Sequence, residues 1–168
     1  FHPDDNTFGR KVRKINTTLA GEASAAFSLA LGRVATFDCR VVPLPNKSRV
    51  ADYFQWRQED SHRNSLNAHC YWALRKEGQS QNAATAELES KSISYKNELL
   101  FQKGINYNDL PSWQKRGMGI YFKDVDKEGF NPITNETVIT KRRELVVDYE
   151  LPIGEEYTEF VLNFLTEE

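Results

Sequence analysis

Hydrophobic and polar positions follow a helical period in some parts of this chain and a strand period in others. Residues 7–31 keep a helical period, with a basic front half (Arg10, Lys11, Arg13, Lys14) and a small, apolar back half (Ala20, Ala23, Ala25, Ala26, Leu29, Ala30). Asn6 or Thr7 reads as the cap of this helix and Gly32 as its stop. Residues 34–44 then run apolar and β-branched, the pattern of a sheet strand covered by its two flanking helices, with Pro43 and Pro45 ending it. Ser48 is a cap for a long helix to Lys76, stopped by Gly78. Residues 84–90 and 92–102 read as two shorter helices, the second closed by Gly104. Residues 106–116 read as a loop. Residues 117–124 and 137–151 read as strands, and the turn-rich 126–135 between them implies a hairpin. Residues 155–165 form a short amphipathic helix with Phe160, Phe164 and Leu165 free to pack. Ahead of all this, residues 1–6 read as a strand end and a turn. The mix is α+β. The linker-like 78–83 divides it into a first part, 1–78, and a second, 79–168.

Composition adds a few bounds. A chain of 168 residues is long enough for a compact core. It begins with Phe1, not Met, so it is read as processed, cut, or a piece of something longer. Cys39 and Cys70 make no metal-ligand spacing, so no metal is assigned and a reduced, cytoplasmic setting is expected. No apolar run has the length of a membrane span. The net charge is −2, from 22 bases and 24 acids, and five of the acids lie in residues 155–168, which carry no base. The rest is slightly basic. That balance argues only feebly for a nucleic-acid partner. Arg10, Lys11, Arg13 and Lys14, and again Lys141, Arg142 and Arg143, are basic clusters that serve either as RNA-backbone contacts or as solvated faces.

Chemistry concentrates in residues 53–74. At about 100° per residue, Arg57, Asp60, Asn64, Asn67 and Tyr71 fall on one narrow stripe of the long helix. Asn is a poor helix former, so its repeated use points to specific amide contacts, or to a buried hydrogen-bond network. Asp60 and His62 lie roughly 200° apart on the helix and cannot serve one small site together.

Trp56–Asn67 (WRQEDSHRNSLN) and the following Tyr71-Trp72-Ala73-Leu74 also carry a resemblance. They resemble the W-R-Q-x-D-x-H-x-N-x-L-x-N…F-W-x-L segment of the histidine-tRNA guanylyltransferase family. Phe37-Asp38-Cys39-Arg40-Val41-Val42 is similar to its F-D-x-R-V-V strand. Lys96–Phe101 is similar to its K-N-E-I-L-F, and Ile105–Pro111 to its I-N-Y-N-x-L-P. Departures are Ser61 where Cys is common, Ser65 where Asn is common, and His69-Cys70. The chain after Lys115 matches poorly.

The resemblance implies that residues 1–78 are the second half of a polymerase-like palm sheet, and that the rest is a helical, hairpin-bearing portion. It implies addition of a nucleotide to the 5′ end of tRNA, in the 3′-to-5′ direction, after activation with a nucleoside triphosphate. ATP and GTP would be substrates, Mg2+ the cofactor, and a homo-tetramer the assembly. Bacterial relatives use the same chemistry to repair truncated tRNAs. The alternative is a non-catalytic RNA- or nucleotide-binding module derived from the family. The family's metal-binding D-G-R motif and D-E pair do not occur in this sequence. They are expected before Phe1, so no catalytic residue is assigned here and the chain alone is expected to be inactive. Nucleotide binding is carried over to His62, Asn64, Lys96 and Asn106, and a supporting or RNA-contacting role to Arg57, Asp60, Asn67, Asn108, Lys115 and Arg116. Read without the resemblance, Lys96 is a solvated lysine, His62 a satisfied, partly buried histidine, and Asn106 and Asn108 are turn residues.

Overall fold

The computed structural model describes residues 6–166, and the expected strand end at residues 1–5 lies outside them. The described residues form α1 (Val12–Leu31), α2 (Lys47–Lys76), α3 (Gln81–Leu88), α4 (Ile93–Gln102), α5 (Ser112–Arg116), the strands β1 (Gly119–Asn131) and β2 (Glu136–Asp148), and α6 (Gly154–Thr166). The α+β expectation holds. The chain divides into two compact units, Phe1–Val50 with Phe164–Glu168, and Ala51–Asn163.

In the first unit α1 ends at Gly32, whose φ of 70° is the left-handed conformation that glycine adopts without a Cβ clash. The strand expected at residues 34–44 does not form. The segment is extended but joins no sheet, and Phe37 stays 47% exposed. A strand needs a neighbouring backbone to receive its N–H groups. Here the neighbour is a helix, and its side chains take that role. The Ala35 N–H donates to Ser28 Oγ at 2.9 Å, the Phe37 N–H to Ser24 Oγ at 2.9 Å and the Val41 N–H to Asn16 Oδ1 at 3.1 Å. The Ser28 hydroxyl also donates back to the Ala35 carbonyl at 3.0 Å. The three donors are odd-numbered, so one edge of the extended chain faces the helix. Phe27 packs edge-on against Phe37 with ring centroids 5.4 Å apart.

The second unit holds the larger core. On α2 the buried positions Leu66, Cys70, Ala73 and Leu74 recur with helical spacing. They cluster with Ala84 and Leu88 of α3, Leu99 and Leu100 of α4, and Tyr107. Ser80 and Ser92 cap α3 and α4, accepting from the N–H groups of Ala83 and Tyr95. The cap of α2 is not Ser48. Asn46 Oδ1, two residues earlier, accepts from the Arg49 N–H at 3.0 Å, and the helix already starts at Lys47. The segment 106–116, expected as a loop, contains a 3-10 turn at Tyr107–Asp109 and α5.

The hairpin is longer than its turn residues imply. Its strands pair in unbroken antiparallel register from Gly119↔Asp148 to Asn131↔Glu136, and only residues 132–135 turn. Asp126, Lys127 and Glu128 therefore lie in β1, opposite Lys141, Thr140 and Ile139. Alternation sends successive residues to opposite faces. On one face Tyr121 packs edge-on against Phe160 of α6 at 5.3 Å. A side chain at Gly119 would meet Leu151 at 2.9 Å, so glycine lets this end of the strand lie close. Tyr157 and Val161 supply the buried side of α6. Two bonds tie α2 to the segment around α6: Gln58 Nε2 to the Pro152 carbonyl at 2.9 Å, and the Thr158 hydroxyl to Gln55 Oε1 at 2.7 Å.

Candidate functional site

The nucleus of the candidate site is Tyr107, buried to 3% and held in the 3-10 turn after α4. Its hydroxyl donates to the His62 carbonyl on α2 at 3.2 Å. His62 and His69, two turns apart on α2, both pack edge-on against its ring, at 5.4 and 5.8 Å. Ser65, between them, donates to the Gln114 carbonyl of α5 at 2.6 Å. One face of α2 is thereby fixed against the turn and α5. A single aromatic ring sets the rotamers of two imidazoles.

Burial depresses the pKa of His62, and the positive charges of Lys115 and Arg116 depress it further. At neutral pH the imidazole is therefore uncharged, with one ring nitrogen a donor and the other an acceptor. Beside it lies a cleft of about 390 Å³, lined by Gln58, His62, Arg63 and Arg116 and, on an apolar side, by Ile93 and Ile153. Glu59 is its one carboxylate. Arg116 is held in place: Nε donates to the Leu151 carbonyl at 3.0 Å and Nη2 to Ser112 Oγ at 3.1 Å. Two guanidinium groups beside a neutral imidazole suit an anion with several oxygens, such as a phosphate chain.

The other sequence-derived candidates divide. Lys115 joins the same region, donating to the Asn108 carbonyl at 2.8 Å. Asn106 adjoins Tyr107, but its amide serves the turn: Oδ1 accepts from the Asn108 N–H at 3.2 Å and Nδ2 donates to Asp109 at 2.9 Å. Lys96 is half-buried on α4, and its ammonium pairs with no carboxylate among the described residues. Its carbonyl accepts from Cys70 Sγ at 3.3 Å. The residue next to Cys70, His69, packs on the Tyr107 ring that also meets His62, and Ile93, one turn before Lys96 on α4, lines the cleft. The polar stripe of α2 forms its own network. Asp60 accepts from Arg57 at 3.4 Å, Arg63 at 3.3 Å and Asn64 at 3.1 Å. Arg57, Arg63 and Asn64 are exposed, so this network lies at the surface and is not the buried one that the asparagines could have formed. Asn67 is exposed on the same helix.

Sequence reading missed Tyr107 as the organiser of the site. Its one signal was an aromatic residue inside a turn sequence, where polar residues are usual. No group of three or more His, Cys, Asp or Glu side chains could hold a metal among the described residues.

Comparisons with known proteins converge. Residues 48–151 match the family model described as the Thg1 C terminal domain. The chain is 34% identical over 164 residues to a "probable tRNA(His) guanylyltransferase" of Dictyostelium discoideum, covering 90% of this chain and 62% of that protein. It is 35% identical over 127 residues to the protein of the same description in Drosophila melanogaster, covering 70% and 44%. Among solved structures it resembles a bacterial tRNA(His) guanylyltransferase (Thg1)-like protein in complex with ATP, with a TM-score of 0.68 and 28% identity over 99% of this chain and 65% of that one. The complex of such a protein with GTP gives a TM-score of 0.63 at 30% identity, over 95% and 58%. The chain thus spans less than two thirds of the length of these relatives.

Proposed function

The chain belongs to the tRNA(His) guanylyltransferase (Thg1) family, and from that premise we propose that it is the nucleotide-holding portion of a tRNA nucleotidyltransferase. The complete protein adds a nucleotide to the 5′ end of tRNA in the 3′-to-5′ direction, after activating that end with a nucleoside triphosphate. ATP and GTP are its substrates, in keeping with the ligands named for the two structural relatives. Magnesium, a cytoplasmic setting and a homo-tetramer enter as properties of the complete protein. The observation that carries this reading is the cleft beside His62, where Arg63 and Arg116 flank an uncharged imidazole. Lys96 adds a cation on the neighbouring helix that pairs with no carboxylate among the described residues. Asn106, with its amide bonded within the turn, acts together with Asn108 and Lys115 in holding that turn, and Asn64, bonded to Asp60, offers its amide from the outer face of α2. Arg57, Asp60 and Asn67 present an outer polar face of α2 to RNA.

The test is triphosphate affinity in Lys96→Ala, His62→Ala and Asn106→Ala. A lost charged contact costs about 1.5–3 kcal/mol, so Lys96→Ala weakens binding about tenfold or more with an unchanged melting temperature. His62→Ala does the same with some loss of stability, because the imidazole packs on Tyr107. Unchanged affinity in all three variants overturns the site.

A second reading, a binding module without catalysis, draws on the lack of a metal-holding group among the described residues. Under both readings this chain alone incorporates no labelled nucleotide into 5′-monophosphorylated or truncated tRNA with magnesium. Incorporation above a no-protein control would refute that. Restored activity in a longer protein that carries the D-G-R and D-E motifs selects the first reading.

A further inference from the structure

The two faces of the β1–β2 hairpin are unequal. One face carries Tyr121 against α6. The other is bare, and its residues follow from the register: Ile120↔Val147, Phe122↔Leu145, Asp124↔Arg143, Asp126↔Lys141 and Glu128↔Ile139. At the base, Ile120, Phe122, Leu145 and Val147 are 62%, 54%, 60% and 48% exposed. These four adjoining side chains form one apolar patch rather than scattered surface residues. Beyond it the face changes character. Its β1 side carries three acids in a row, Asp124, Asp126 and Glu128, before Phe130, 65% exposed and opposite Thr137, at the tip. Its β2 side is basic, with Lys141 and Arg143, and Arg143 stacks over the Phe122 ring at 5.3 Å.

We propose that this bare face is where a second copy of the chain docks, hairpin against hairpin, about a two-fold axis parallel to the strands. The charge pattern selects both the occupant and the axis. Two such faces can close about an axis along the strands or about one across them. The axis across them stacks β1 on β1 and sets acid against acid. The axis along them stacks β1 on β2, so both acidic strands meet basic ones and the two apolar bases meet each other. RNA is a poor occupant, because the acids outnumber the bases on this face. A strand of this length is about 44 Å long, and a two-stranded face is about 10 Å wide. The face thus offers on the order of 440 Å² per copy, against roughly 800 Å² in a standard interface. Association through it is therefore weak and depends on concentration.

The inference names a surface for the oligomer proposed above, and the experiment separates the two. Sedimentation velocity over a concentration series is run on the parent chain, on Asp124→Lys/Asp126→Lys, on Lys141→Glu/Arg143→Glu, and on an equimolar mixture of the two double variants. The parent self-associates. Each double variant does so at least tenfold more weakly, and the mixture recovers association as a heterodimer. Reversed charges also face each other within a single hairpin, so amide exchange across Gly119–Asp148 checks that each variant keeps its strands. Leu145→Glu, at an exposed position, must independently abolish association. Oligomers that persist unchanged in all variants overturn the hairpin surface and leave the oligomer standing. A parent chain that stays monomeric at every concentration overturns the hairpin surface. A mixture that fails to recover association overturns the two-fold arrangement, as does capture of a different protein by the intact face.

Discussion

The two compact units of this chain are held together by different forces. In Ala51–Asn163 three helices, α2, α3 and α4, and a turn bury one another's apolar side chains, and Leu66, Cys70, Leu74 and Leu100 are all but inaccessible. In Phe1–Val50 only Ile15 is buried among the described residues, while Leu29 and Val34 are 85% and 88% exposed. That unit is held by side-chain acceptors on α1 that bond the backbone of the extended segment. A fully buried leucine is worth about 1.5–3 kcal/mol, and a net hydrogen bond about 0.5–1.5. The lesson is that residues of similar hydrophobicity hold a fold only where partners meet them. The candidate site belongs to the well-packed unit, where His62 is held by the packed ring of Tyr107.

The largest expected contrast is between core truncations. Leu100→Ala removes a fully buried side chain and should cost about 2–5 kcal/mol in urea unfolding. Leu29→Ala, at an exposed position, should stay within about 0.5 kcal/mol. Comparable losses from both would show that the first unit is packed as tightly as the second, and the comparison would break.

A finer contrast is in amide exchange. The N–H groups of Ala35, Phe37 and Val41 should exchange well before those of α4. Ser24→Ala should lower protection at Phe37 by about 1 kcal/mol while leaving Leu100 unchanged, and Asn16→Ala should do the same at Val41. Equal protection in the two units would mean that something other than these side chains holds the segment.

What could be read from the sequence follows the same division. Stop signals were the more reliable local ones. Gly32, Gly104 and the hairpin lie where turn chemistry put them, because each acts within a few residues, whereas Asn6 and Thr7 do not cap α1, which starts at Val12 after a 3-10 turn at Thr7–Arg10. The strand at residues 34–44 was misread because apolar continuity says that a segment is extended but not what pairs with it. Ser24, Ser28 and Asn16 read as ordinary helix residues until their partners are seen. The cap of α2 was placed two residues late because Asn46 and Ser48 are both good caps. The hairpin was read short because Asp126, Glu128 and Gly129 look like turn residues, whereas here they pair across strands with Lys141, Ile139 and Val138. In the site, His62 was visible as a residue type in a motif. Its packing on Tyr107, 45 residues later, and its depression by Lys115 and Arg116 are tertiary facts that no spacing carries.

The smallest expected effect concerns that depression. The ordinary value for His62 is 6.5, and the folded protein lowers it, by burial first and by Lys115 and Arg116 next. Between the lowered value and 6.5 the unfolded chain binds more protons than the folded one, so stability rises with pH across that window. The contribution is fully present above 6.5 and is lost as pH falls through the folded value. The imidazole is partly exposed, so the effect is modest. It is best read as a difference between the parent and His62→Gln from about pH 7.5 to about pH 5, where the carboxylates common to both cancel. The parent should lose stability faster on acidification, and Lys115→Gln should shift the His62 titration upward. A bound triphosphate reverses the preference, since its charge favours the imidazolium. Affinity in the parent should therefore tighten as pH falls below 6.5, and His62→Gln should flatten that trend. Parallel pH profiles in parent and variant, for both stability and affinity, would mean that Lys115 and Arg116 do not act on His62. The imidazole would then be a packing residue of the second unit and nothing more.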